Sequence, residues 1–167
     1  MSPLPMHSTI GMLGGGQLGR MAAMAASSLG YRTHVFTTKA KAPSTQVTDL
    51  VTIGAWEDRA ALTSFASQCD VITFEFENIP IDAVRHLDSL CPVHPGARAL
   101  KICQDRALEK SMLQNIGVVT TAWKEVSSLE ELEAAALEIG FPAVLKTATL
   151  GYDGHGQVKI THEKGLA

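Results

Sequence analysis

The chain alternates short apolar runs with helical stretches. Thr9, Ile10, Gly11, Met12 and Leu13 form an apolar run that breaks at Gly14, Gly15 and Gly16. Behind the break Leu18, Met21, Ala22, Ala25 and Leu29 recur at helical spacing, which predicts a helix with that row as its apolar face. Gly30 suits its C-terminal end. Residues 33–37 (THVFT) and 50–53 (LVTI) read as strands, with a loop through Pro43 between them. A helix over residues 59–67 carries Leu62, Phe65 and Ala66 inward, and residues 70–75 (DVITFE) follow as a strand. Pro80 opens another helix through Ile81, Val84 and Leu87. Such alternation predicts a parallel sheet with helices on both faces, up to about Gly96.

Beyond Gly96 the pattern changes. Asp105 opens a helix with Leu108, Met112 and Ile116 four apart, stopped by Gly117. Ser128 and Glu131 have the spacing of a capping box for a helix carrying Leu129, Leu132 and Leu137, which Gly140 and Pro142 stop. Residues 143–147 (AVLKT) and 158–160 (VKI) read as two strands of a hairpin joined by a glycine-rich loop.

Composition narrows the function classes. With 46% hydrophobic and 19% charged residues among 167, the chain has the make-up of a globular protein. Fourteen Lys+Arg against seventeen Asp+Glu, net charge −3, leave no basic excess for a nucleic-acid backbone. The longest unbroken apolar run, residues 21–26, is far short of the roughly 20 residues that a spanning helix needs, so no membrane segment is expected. Cys69, Cys91 and Cys103 form no CxxC pair, and the start carries no secretory pattern. A reducing, cytoplasmic setting with structural thiols is expected. The histidines His7, His34, His86, His94 and His162 lack metal-ligand spacing.

Two glycine loops carry the candidate chemistry. Residues 14–19 (GGGQLG) satisfy GxGxxG between a strand and a helix, where glycines let helix-start amides approach an anion. A dinucleotide site also wants an acid at the end of the second strand, where Thr37, Thr38 and Lys39 stand. Phosphate binding without a dinucleotide is therefore the favoured reading, with a packing turn as the alternative. The second loop holds Gly151, Tyr152, Asp153, Gly154, His155, Gly156 and Gln157, and Lys146 lies on the strand before it, within reach of a nucleotide phosphate. It is not a Walker A loop; a plain hairpin turn is the alternative, though such a turn does not need seven residues carrying Tyr, Asp, His and Gln together. Glu75, Glu77 and Asn78 end a strand at the sheet edge where α/β proteins bind ligands; alternation puts the two carboxylates on one side, as a site or as a solvated loop.

These segments together resemble a known family. IGMLGGGQLGRM at residues 10–21, TFEFENIP at 73–80, QDRALEK at 104–110, and LKT with GYDGHGQ within 145–157 are similar to the biotin-dependent-carboxylase-like ATP-grasp superfamily, and within it to the 5-(carboxyamino)imidazole ribonucleotide synthetases of purine biosynthesis. The resemblance implies an α/β chain: a Rossmann-like parallel-sheet pre-ATP-grasp domain at residues 1–98, then the small α+β lobe of an ATP-grasp domain at 99–167. It implies a ligase that uses ATP to activate bicarbonate as carboxyphosphate and carboxylates the amine of 5-aminoimidazole ribonucleotide. Arg106 and Lys146 would contact ATP, and Gly151, Tyr152, Asp153, Gly154, His155, Gly156 and Gln157 would close over its phosphates. Glu75, Tyr152 and Asp153 would serve catalysis near the ribonucleotide, with Gly16, Gln17, Leu18, Glu75 and Asn78 binding it.

The resemblance further implies a homodimer and magnesium whose ligands lie beyond residue 167, with no metal ligand in this stretch. Family members carry a long polar or basic residue where this chain has Ala148, and Lys or Arg where it has His155. The 167 residues alone are expected to show no bicarbonate-dependent ATPase. A non-catalytic nucleotide-binding or dimerisation module is the competing reading. An NAD(P)-dependent oxidoreductase leaves GYDGHGQ unexplained.

Overall fold

The computed structural model describes residues 3–151, 154–162 and 165. The chain divides into two compact units, Met1–Lys101 and Ile102–Ala167.

In the first unit, β1 (Thr9–Leu13), β2 (Arg32–Thr37), β3 (Leu50–Ile53) and β4 (Val71–Phe74) form a wholly parallel sheet in the order β3-β2-β1-β4. Helix α1 (Gln17–Ser28) links β1 to β2, and α2 (Arg59–Ala66) links β3 to β4 in the opposite direction across the sheet. Right-handed crossovers then place the two helices on opposite faces. Residues 33–37 of β2 are buried throughout, as strands covered on both faces must be. Helix α3 (Ile81–Asp88) follows, and α4 (Ala97–Cys103) begins in this unit and runs across its end at Lys101.

The main core lies on the α2 face, where Leu13, Phe36, Leu62, Phe65, Ile72, Val84 and Leu87 interlock. Phe36 and Phe65 meet edge-on at 5.6 Å. Gly11 is required by this packing: a Cβ there would lie 2.7 Å from Cys69 Sγ and 2.9 Å from the Phe65 ring. Burial pushes the Cys69 thiol up to about 12 and raises Cys91 as well, so both are packing groups at neutral pH. His34 is buried, with Nε2 2.8 Å from Thr52 Oγ1. Desolvation lowers its pKa, which keeps the ring neutral.

Helix α1 corrects the expected apolar face. Its buried residues are Gly19, Ala23 and Ala26, whereas Leu18 is 63% and Leu29 68% exposed, and Met21, Ala22 and Ala25 are exposed with them. Small residues let the helix lie close on the sheet, and the larger apolar row turns away. Two elements escaped the periodicity reading, the 3-10 turn Pro43–Gln46 and α4, both shorter than two full α turns. Pro80 caps α3 rather than entering its first turn.

The second unit contains α5 (Arg106–Asn115), α6 (Leu129–Ile139) and the antiparallel pair β5 (Ala143–Lys146) and β6 (Gln157–Ile160). Asp105 caps α5 by accepting from Ala107 N at 2.9 Å and Leu108 N at 3.0 Å. Ser128 Oγ accepts from Glu131 N, but Glu131 Oε2 reaches one residue further out than a capping box would place it, to Ser127 N at 2.7 Å and Ser127 Oγ at 2.8 Å. Those bonds lower the Glu131 pKa.

Candidate functional site

In the first unit the glycine loop meets Glu75, which lies just past the end of β4. The loop leaves β1 at Gly14, whose φ of +102° is accessible to glycine at little cost, and enters α1 at Gly16. Glu75 Oε1 accepts from Gly16 N and Oε2 from Gly19 N. The amides at the start of α1 therefore already hold an anion, and it is the protein's own carboxylate. This corrects the expectation of a free phosphate cradle. Positive potential and unpaired N–H groups at a helix start attract any carboxylate that the fold brings near, and Glu75 comes from the neighbouring strand, since Glu75 N bonds Leu13 O at 3.2 Å. A Cβ on Gly14, Gly16 or Gly19 would sit 2.7 to 3.0 Å from atoms of this side chain. The glycines thus admit a glutamate where they could have admitted a ligand.

Gln17 and Leu18, in the first turn of α1, are exposed beside this lock. Asn78 follows in the turn after β4. The expected common side for Glu75 and Glu77 does not apply, because β4 ends at Phe74 and the strand alternation stops there.

In the second unit Arg106, Lys146 and the second glycine loop come together. Lys146 ends β5 and stands opposite Gln157, while Val144 stands opposite Lys159. Alternation puts Lys146, Gln157, Val144 and Lys159 on one face of the pair, with two ammonium groups on it. Ala143, Leu145, Val158 and Ile160 take the other face. Arg106, the first residue of α5, clamps the end of β5. Its backbone N bonds Ala148 O at 3.0 Å, Nε bonds Thr147 O at 3.1 Å and Nη2 bonds Gly151 O at 2.7 Å.

Arg106 therefore positions the loop, a role that residue type and spacing did not disclose. Across the loop, Thr147 N bonds Gly156 O at 2.8 Å. A Cβ on Gly156 would lie 2.6 Å from Thr147 Oγ1, and the φ of +67° there also requires glycine. Gly154, with φ +85°, and exposed His155 belong to the described loop. Tyr152 and Asp153 lie outside the described residues.

Arg106 and Lys146 also share a cavity of about 250 Å³ with Lys110, Trp123, Ala136 and Ile160. Lys110 and Trp123 were not singled out from the sequence. Lys110 stands four residues after Arg106 on α5, a spacing that puts both on one helix face and could have revealed it. Replacing Arg106 by lysine removes the guanidinium fork, and an ammonium cannot span the Thr147 and Gly151 carbonyls in the same way. At the ATP site that the family resemblance implies, we expect KM for ATP to rise about tenfold, the equivalent of one lost charged hydrogen bond, with a smaller change in kcat. Steady-state kinetics with varied ATP checks this.

The comparisons with known proteins agree with this two-unit description. The ribonucleotide synthetase preATP-grasp domain model matches residues 6–104, and the ATP-grasp domain model matches residues 111–167. The chain belongs to the ribonucleotide synthetase preATP-grasp family. Among its relatives within that family, the N5-carboxyaminoimidazole ribonucleotide synthase of Brucella melitensis is 45% identical over 153 residues, which is 92% of this chain and 42% of that protein. The structure of N5-carboxyaminoimidazole synthetase from Staphylococcus aureus complexed with ADP superposes with a TM-score of 0.91 at 36% identity, over 98% of this chain and 44% of that one. The corresponding synthase of Aspergillus clavatus, in complex with ADP and 5-aminoimidazole ribonucleotide, superposes with a TM-score of 0.83 at 26% identity, over 95% of this chain and 42% of that one. The chain thus spans about two fifths of the length of these three relatives.

Proposed function

We propose that this sequence forms the front part of an ATP-dependent carbon–nitrogen ligase that carboxylates 5-aminoimidazole ribonucleotide with bicarbonate in purine biosynthesis. Residues 1–98 serve as its pre-ATP-grasp domain and 99–167 as the start of its ATP-grasp domain. The observation that carries this reading is the Lys146 face of β5 and β6, clamped by Arg106 and closed by a glycine loop, in a chain of this family.

In this reading the γ-phosphoryl group of ATP passes to a bicarbonate oxygen, giving ADP and carboxyphosphate. The amine of the ribonucleotide then attacks the carboxyl carbon, and phosphate leaves. Lys146 offsets the charge that gathers on the phosphoryl oxygens, and Gly151, Gly154, His155, Gly156 and Gln157 cover them together with Tyr152 and Asp153. Gly16, Gln17, Leu18, Glu75 and Asn78 bind the ribonucleotide, and Tyr152 and Asp153 act near its amine. Glu75, held by the α1 amides, presents its side chain in a fixed position there.

Magnesium belongs to this proposal for the whole ligase, but the residues described do not make its site. Among them no group of three or more His, Cys, Asp or Glu could hold a metal ion. The exposed Met21, Met24 and Leu29 supply the apolar area that a homodimer contact would use. A cytoplasmic location fits free thiols and this biosynthetic role. Among the described residues no helix is long and apolar enough to cross a membrane.

The test is ADP release by the ligase that carries this sequence, with ATP, bicarbonate and 5-aminoimidazole ribonucleotide supplied together and each omitted in turn. Release that requires the ribonucleotide supports the reading. Release indifferent to the ribonucleotide contradicts the reading, and no release under any condition favours a non-catalytic binding module.

A further inference from the structure

Leu150 combines two unfavourable features at the edge of the second glycine loop. Its φ of +61° lies in the left-handed region, which a bulky L residue rarely enters, and its apolar side chain is 71% exposed. Leu150 and His7 are the non-glycine residues with positive φ among those described. Backbone strain of this kind persists where the surrounding bonds over-determine it, and it clusters at functional sites.

The bonds that impose it come from Arg106. The guanidinium donates from Nε to Thr147 O and from Nη2 to Gly151 O, while the Arg106 backbone N donates to Ala148 O. A fully extended chain would set the Thr147 and Gly151 carbonyls about 13 Å apart, beyond the span of one planar fork. Residues 148–150 therefore bend, and among residues 147–151 the left-handed region is entered at Leu150 alone. The following position has no room to share the turn with a side chain, since a Cβ on Gly151 would lie 2.9 Å from Thr147 Oγ1 and 3.0 Å from Arg106 Nη2. On the far side of the loop Thr147 N holds Gly156 O, so both ends of the loop are anchored on the same short stretch of chain.

We propose that Leu150 is a positioning residue of the ATP site: its left-handed backbone carries the Gly151 carbonyl to Arg106 and so fixes both the guanidinium and the start of the loop. What the position supplies is its φ rather than its side chain, which faces solvent and which glycine could forgo at no conformational cost. The proposal rests on the reading of Arg106, Lys146 and this loop as the ATP phosphate site, and every residue it uses lies in the second unit.

The experiment measures KM for ATP and kcat of the ligase that carries this sequence, with Leu150→Val, Leu150→Asn and Leu150→Gly. Valine, branched at Cβ, resists the left-handed region, whereas asparagine and glycine enter it readily. KM for ATP should rise at least about fivefold in Leu150→Val, the size expected when a strained backbone becomes harder to hold, with a smaller change in kcat. Asparagine and glycine should both restore the native KM. Because Leu150 acts through Arg106, the rise caused by valine should shrink to less than about twofold in an Arg106→Lys background. The proposal is overturned if valine leaves KM unchanged, if glycine and asparagine raise it as much as valine does, or if the valine and lysine effects are fully additive. A native KM for ATP in Arg106→Lys alone would instead remove the ATP reading beneath it.

Discussion

Replacing Lys146 by alanine is expected to lower kcat/KM for ATP by about 10²- to 10³-fold while leaving the melting temperature unchanged. The size follows from removing the fixed positive charge to which the proposed reaction assigns the developing negative charge. Stability should be untouched because the Lys146 side chain is exposed at the end of β5, and the pairing with Gln157 involves only main chain. Lys146→Arg keeps the charge but spreads it over a planar fork of different reach, so partial activity is expected. The check is ADP release at varied ATP for the ligase carrying each variant, with thermal melts alongside. Full activity in the alanine variant would remove Lys146 from the phosphate site.

The second large effect concerns stability. Glu75→Ala deletes the carboxylate that accepts from Gly16 N and Gly19 N, leaving two partly buried amides at the start of α1 without an acceptor. Leaving such groups unpaired costs about 2 kcal/mol at the lower end of the range for charged hydrogen bonds. In a unit of this size that corresponds to a fall of roughly 10 °C in Tm. Glu75→Gln keeps the side-chain shape but turns a donor toward one amide, so it should lie between the native protein and alanine. Calorimetry on the three proteins decides it, and an unaltered melt in Glu75→Ala would show that the lock contributes nothing. A ribonucleotide role for Glu75 adds a separate signature, a raised KM for the ribonucleotide in Glu75→Gln beyond what lost stability explains.

How much of this was legible beforehand depends on the kind of signal. The parallel sheet could be read because each strand is a short apolar run and each crossing helix is periodic, and β1, β3 and α2 fall within one residue of the expected bounds. Helix α1 was found, but its buried face was assigned to the wrong side. Side-chain size was misleading there: the close contact belongs to Gly19, Ala23 and Ala26, while Leu18, Met21 and Leu29 face outward. The pattern GxGxxG correctly marked an anion seat but could not reveal its occupant. Glu75 is 59 residues from Gly16, and only the pairing of β4 with β1 brings them together. Arg106 is similar, since its hold on Thr147 and Gly151 spans 41 and 45 residues. The hairpin, and the place of Lys146 on its first strand, could be read because they are local.

The central claim is that ATP phosphates meet the Lys146 face rather than the first glycine loop. An acyl-phosphate derivative of ATP, which acylates lysines beside the bound phosphates, tests this on the protein when peptide mapping locates the label. The account predicts acylation of Lys146. Label on Lys39 or Lys41 with Lys146 unmodified would contradict it.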